Sequence, residues 1–181
     1  MRSSLGRNFS AFESQLVTTT GRRFRGIIYP ASDSVSTTQL VETRLLLRTR
    51  PNEPVYPGDL INDPAGRPFL VGRDDTQILL GGAISKTFRL YRCTGSYSWK
   101  RPSTFTDPVT NLQQRTGETE LGPIWCAVEI LSNLDIDRGT HQAAEKHHVI
   151  TGSPIQLQDK IDTWIVRRVT QVFGIYVAET E

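Results

Sequence analysis

The sequence predicts a mainly β protein, a small antiparallel β-barrel or β-sandwich with little helix. From residue 22 onward, apolar residues recur with a period of two, as they do in half-buried strands. Short strand-like stretches are separated by Pro, Gly and Asp, which favour turns. With 181 residues, the chain is long enough for one compact domain or for two small related β units.

The composition is that of a folded protein with a polar surface. Hydrophobic residues make up 37% and charged residues 22% of the chain, short of the charge excess that prevents folding. No run approaches the roughly 18 apolar residues that cross a bilayer, and no signal-peptide pattern is present. We expect a cytosolic protein without a membrane partner, with Cys93 and Cys126 buried and reduced.

Charge is distributed unevenly along the chain. Residues 1–50 carry eight arginines against three acidic residues, whereas residues 115–181 carry six basic residues against ten acidic ones. Such asymmetry suits a subunit whose opposite faces meet different partners.

Four segments are predicted along the chain. Residues 1–20 form an N-terminal arm, because their few apolar residues support at most two helical turns over Ser10–Val17. Residues 21–97 form a first β unit, in which Pro64 and Gly66 shape a hairpin turn. Residues 98–122, with Pro102 and Pro108, are a linker or excursion, and residues 123–181 form a second β unit.

The two β units resemble each other when the chain is aligned with itself at an offset of 101 residues. Each half contains a strand, a polar loop, a second strand, a Pro-containing turn, a short Asp-containing strand and a final hairpin. This order predicts a duplication of one antiparallel unit.

The same elements resemble the small β-barrel head-closure proteins of tailed bacteriophages, also called stoppers or head-tail adaptors. The resemblance rests on residues 122–131, 144–150, 158–161, 164–166 and 172–178, with a weaker copy at 24–30, 43–49, 57–61 and 66–71. A typical member is a single barrel, so two units in one chain leave the position in the neck open.

The resemblance implies a structural virion protein, assembled in the cytoplasm of a bacterial host. It implies a homo-oligomeric ring of six or twelve copies between the portal and the tail, acting in head closure, as a collar or in head-tail joining. Portal or adaptor proteins lie on one side, tail proteins on the other, and double-stranded DNA passes through the channel.

In that family, the polar loop after the first strand often points into the channel. The equivalent loops here span residues 32–39 and 133–141, and they contain too few apolar residues to bury themselves. The candidate channel or inter-subunit residues are Ser32, Asp33, Ser34, Ser36, Thr37, Gln39, Asn133, Asp135, Asp137, Arg138 and His141.

No catalytic or cofactor motif is found in the sequence. The pairs Asp74-Asp75 and Asp135-Ile136-Asp137 are expected in solvated turns or loops. On a strand His147 and His148 point to opposite faces, so the histidines do not form a metal-ligand pattern. We therefore expect no enzyme activity, no cofactor and no metal.

Two further groups are candidates for contacts with partners. Trp99 is expected to be exposed, whereas Trp125 and Trp164 are expected in the core. The candidate interface residues are Arg22, Arg23, Arg25, Trp99, Lys100 and Arg101.

Two alternative functions remain open. One is a basic nucleic-acid-binding module, with a strip formed by Arg22, Arg23, Arg25, Arg44, Arg48 and Arg50. The net charge of +2 argues against strong binding of this kind. The other is a tail-terminator or tail-tube-associated ring protein.

Overall fold

Twelve β-strands make up the regular structure of the computed structural model, which describes residues 13–31, 45–79, 82–131 and 146–181. All regular elements in these ranges are strands, which confirms the predicted mainly β class. The strands are β1 (Ser14–Thr18), β2 (Arg23–Pro30), β3 (Leu45–Thr49), β4 (Leu60–Asn62), β5 (Pro68–Leu79), β6 (Gly82–Arg92), β7 (Gly95–Thr106), β8 (Gln113–Leu131), β9 (Lys146–Thr151), β10 (Lys160–Ile161), β11 (Trp164–Val172) and β12 (Ile175–Thr180).

The chain divides into two compact units, Met1–Arg92 and Cys93–Glu181. In the first unit, six antiparallel strands form a closed barrel in the order β1-β2-β3-β6-β5-β4, and β4 pairs back onto β1. Closure leaves no free sheet edge around the barrel wall. The interior is filled by side chains, namely Leu16, Phe24, Leu47, Val55, Ile61, Phe69, Val71, Phe88 and Leu90.

The second unit is also a closed barrel of six antiparallel strands. Its order is β7-β8-β9-β12-β11-β10, and β10 pairs back onto β7. The core consists of Trp99, Ile124, Cys126, Val149, Ile155, Ile161, Val166 and Ala178. If the six strands of each barrel are numbered separately, both barrels have the order 1-2-3-6-5-4, as the predicted repeat requires.

The residue correspondence between the barrels differs from the constant offset of 101. In the first barrel Ile28 pairs with Leu47, and in the second Val128 pairs with Val149; all four side chains contact the core. Strand β2 therefore corresponds to β8 at an offset of 100, and β3 corresponds to β9 at an offset of 102. An offset of 101 would match inward Ile28 with outward Glu129, because a shift of one residue exchanges the two faces of a strand.

The best-preserved element of the repeat is the turn before the fourth strand of each barrel. The backbone N–H groups of Tyr56 and Gln156 each donate to a carboxylate oxygen three residues later, on Asp59 and Asp159, at 2.8 Å. The residue before each aspartate has a positive φ, 92° at Gly58 and 66° at Gln158. The aspartate therefore closes the same turn in both units.

Two predicted segment boundaries need correction. Residues 14–18 are not part of an arm, because they form β1 and pair with both β2 and β4. Residues 98–122 are not a linker, because most of them lie in β7 and β8, which pair from Gly95↔Cys126 to Thr106↔Gln113. The prolines misled the prediction, since Pro102 lies within β7 and Pro108 lies in the turn of this hairpin.

The β4–β5 hairpin has the predicted turn. Gly66 has a φ of 78°, a conformation that favours glycine. Asp63 accepts hydrogen bonds from the backbone N–H groups of Ala65 and Arg67 at 2.9 and 2.8 Å. The turn sequence therefore sets this hairpin locally, as the sequence indicated.

Candidate interaction surfaces

The outer side of β2, β3 and β6 in the first barrel carries a group of arginines. Because Phe24, Leu47 and Phe88 point into the core, the neighbouring residues on each strand face outward. These outward positions include Arg23, Arg25, Arg48 and Arg89. We call this surface the arginine face.

Several of these arginines are accessible. Arg23, Arg25 and Arg89 are exposed, and the guanidinium of Arg89 lies 4.8 Å from the ring centroid of Tyr91 on the same strand. Glu53 accepts from the backbone N–H of Arg25, and Glu13 forms a bidentate pair with Arg50, which follows β3. Strands β2, β3 and β6 themselves contain no acidic residue, so the face has an excess of positive charge.

The equivalent side of the second barrel is acidic. Glu129 on β8 lies opposite His148 on β9, and His148 lies opposite Glu179 on β12, so the three form one cross-strand row. Glu181 follows at the end of β12, and exposed Trp125 lies on the same side of β8. We call this surface the glutamate face. On β11, Arg168 and Arg167 pair with Glu179 and Glu181.

Two predicted interface residues instead form a buried polar cluster. Trp99 is only 9% exposed, and its Nε1 donates to Oδ2 of Asp159 at 2.8 Å. Arg101 donates to both oxygens of Asp159 through Nε and Nη2, each at 2.9 Å. Burial alone would raise the pKa of Asp159, but hydrogen bonds from Arg101, Trp99 and the Gln156 backbone lower it overall. This cluster holds the second barrel together.

The first barrel has a related, more exposed pair. Arg22 forms an ion pair with Asp59, the aspartate of the equivalent turn, and its guanidinium lies 5.3 Å from the Tyr56 ring centroid. Arg22 is therefore bound to its own barrel, unlike exposed Arg23 and Arg25. Lys100 is half-buried on β7, where it pairs with Lys160 of β10.

The three tryptophans are arranged differently from the prediction. Trp99 is buried, whereas Trp125 is 42% exposed. Trp164 packs against the core as predicted, and its ring stacks on His147 at 4.6 Å between centroids. Side chains alternate between the two faces of β7, and Trp99 lies on the inward face. The prediction was wrong because residues 98–122 were not expected to form a barrel strand.

The two histidines of β9 lie on opposite faces of the strand, as predicted. His147 is buried, although a surface position was expected, and His148 is half-buried. His141 lies outside the described residues. Asp74 is in strand β5 and not in a turn. Across the described ranges, no three His, Cys, Asp or Glu side chains are grouped closely enough to hold a metal ion.

Both cysteines are buried, and they do not form a disulfide with each other, as the sequence indicated. Burial raises the pKa of Cys126 to about 12, and a hydrogen bond with Thr151 offsets only part of this effect. Because the thiolate is the reactive form, Cys126 is protonated and unreactive at neutral pH.

A thiol titration tests this arrangement. We expect no reaction of native protein with a thiol reagent at pH 8 within minutes, and reaction of both Cys93 and Cys126 after unfolding in denaturant. Fast labelling of one thiol in the native state would contradict the burial described here.

The two predicted polar loops, residues 32–39 and 133–141, lie outside the described residues, and so does Arg44. No helix in the described part of the chain is long and apolar enough to cross a membrane. Comparisons of the chain with protein-family models, curated proteins and solved structures found no match.

Proposed function

We propose that this chain is a structural virion protein that forms an oligomeric ring in the neck of a tailed bacteriophage, between the portal and the tail. The observation that carries the proposal is the tandem of two closed barrels with one strand order. Apolar side chains pack in the interior of each barrel. We therefore base the proposal on the outer faces.

The charges of the two units support assembly. The first unit contains thirteen Lys and Arg residues against eight Asp and Glu, and the second contains eight against eleven. Opposite net charges on two related units suit a subunit that meets different neighbours on its two sides. In the proposed ring these neighbours are other copies, portal or adaptor proteins and tail proteins.

The ring is tested by the mass of the full-length protein in solution and by imaging. We expect light scattering over a range of concentrations to show a defined oligomer, and negative-stain images to show rings with a central opening. In virions, antibody labelling should mark the neck. A monomer at every concentration, together with no label on virions, would contradict the proposal.

An alternative function is a basic nucleic-acid-binding module. The observation that favours it is that Arg23, Arg25 and Arg89 on the arginine face are exposed. Binding of this kind would weaken steeply with salt, with a slope set by the number of phosphates contacted. A tail-terminator ring is the other alternative. The position of the antibody label separates it from head closure.

Shortening the polar loop at residues 32–39 or 133–141 tests the channel role. We expect the barrels to remain folded, since each doubling of loop length changes closure entropy by only about 0.6 kcal/mol. The defect should appear in particles that package DNA but leak it or fail to join tails. Fully infectious particles would show that the loops are passive connections.

A further inference from the structure

We infer that copies of this chain associate head to tail, with the arginine face of one copy against the glutamate face of the next. This inference rests on the proposed ring and names the surfaces that build it. Its starting point is that the two faces occupy equivalent positions in barrels of the same strand order.

The equivalence can be followed residue by residue. In the first barrel, Leu46 pairs with both Tyr29 and Arg89, which gives the outward row Tyr29–Leu46–Arg89. In the second barrel, the corresponding pairs give the row Glu129–His148–Glu179. Arg89 therefore corresponds to Glu179, so one position has opposite charge in the two units.

The same contrast holds elsewhere on these faces. Tyr91 of the first barrel corresponds to Glu181 of the second, and the outward residues of β2, β3 and β6 include four arginines but no acidic residue. The row Glu129–His148–Glu179 and the neighbouring Glu181 provide three glutamates on the second face. The two faces are therefore complementary in charge.

The residue types on both faces are those of protein interfaces. Arg, Tyr and Trp are enriched where proteins meet, and here they are represented by Arg25, Arg89, Tyr91 and exposed Trp125. We assign a second copy of this chain as the partner, because the same chain carries the acidic surface that complements the arginine face. A contact of unlike faces is heterologous, and repetition of such a contact produces rings when its rotation closes.

Charge reversal in the full chain tests the inference. Variant one carries Arg25→Glu and Arg89→Glu, and variant two carries Glu129→Lys and Glu179→Lys. Each should remain folded, since these side chains lie on the outer surface. We expect each variant alone to lose association, with a dissociation constant raised about 100-fold or more. Association of the unaltered protein should also weaken in 1 M salt.

Complementation makes the test specific. Variant one keeps the unaltered glutamate face and variant two keeps the unaltered arginine face, so an equimolar mixture should associate although neither variant does alone. The matched controls, Arg92→Glu and Glu120→Lys, reverse exposed charges away from both faces and should leave assembly unchanged.

The outcomes separate this inference from the ring itself. If the unaltered protein forms rings and both reversed variants form them equally well, the inference is wrong while the ring stands. If the unaltered protein is monomeric, the ring and the inference both fail. If variant one assembles normally but loses salt-sensitive binding to duplex DNA, the arginine face binds nucleic acid and the inference is overturned.

Discussion

Replacement of Asp159 by alanine is expected to destabilise the second barrel by about 3 kcal/mol or more, the cost of removing one partner from a buried ion pair. The Asp159 side chain is fully buried, and it accepts hydrogen bonds from Trp99, Arg101 and the Gln156 backbone. Its loss leaves the indole N–H and the turn N–H without their acceptor. Arg101 retains 30% exposure and can be partly hydrated, which limits the loss.

Tryptophan fluorescence during denaturant unfolding measures this effect directly, because all three tryptophans, Trp99, Trp125 and Trp164, belong to the second unit. The matched control is Asp59→Ala, which removes the equivalent turn aspartate from the first barrel. That change should shift the fluorescence transition much less. Equal shifts for the two variants would contradict separate roles for the two turns.

The contribution of Asp159 to the stability of the second barrel depends on pH. Hydrogen bonds lower the pKa of Asp159 below its ordinary value, despite the opposing effect of burial. Its contribution is therefore present above the unfolded-state pKa of about 3.9 and is lost as the pH falls through the folded-state pKa. The difference in stability between unaltered protein and Asp159→Ala should be constant near neutral pH and should shrink in strong acid.

Replacement of Phe88 by alanine is expected to destabilise the first barrel by about 3–5 kcal/mol. Phe88 is 1% exposed and belongs to the core cluster, where a truncated ring leaves a cavity that β3 and β6 cannot easily close. Hydrogen exchange of peptides from β3 and β6 measures the loss, since the first unit contains no tryptophan.

The control for this change lies on the same strand. Ile84 is 49% exposed, so Ile84→Ala removes less buried surface and should cost no more than about 1 kcal/mol. A loss below about 1 kcal/mol for Phe88→Ala would contradict the packing of the barrel interior.

Local features of the sequence predicted much of the architecture. The period of two gave the β class, and Pro64 and Gly66 indicated the β4–β5 turn that the structure contains. The repeated order of elements predicted two related units, and both barrels have one strand order. These features are encoded within a few neighbouring residues, so they can be read without knowledge of distant contacts.

The candidate surfaces were only partly predictable. Exposed Arg23 and Arg25 were named from the sequence, but their place beside Arg89 follows from the pairing of β3 with both β2 and β6. The glutamate face was missed, because Glu129 and Glu179 are fifty positions apart and meet only through His148 on β9. Residues distant in sequence share a face only when strand order and register are known.

The sequence by itself determined the strand period, the turn chemistry and the duplicated order of elements. Only the tertiary structure decided which residues of each strand point inward, as Trp99 and Trp125 show. A period of two does not show which of the two alternating sets of side chains on a strand points inward. That depends on pairing with distant strands, such as the pairing of Trp99 with Ile161, sixty-two residues away. Barrel closure fixes that choice, because only one face of each strand can fill the interior.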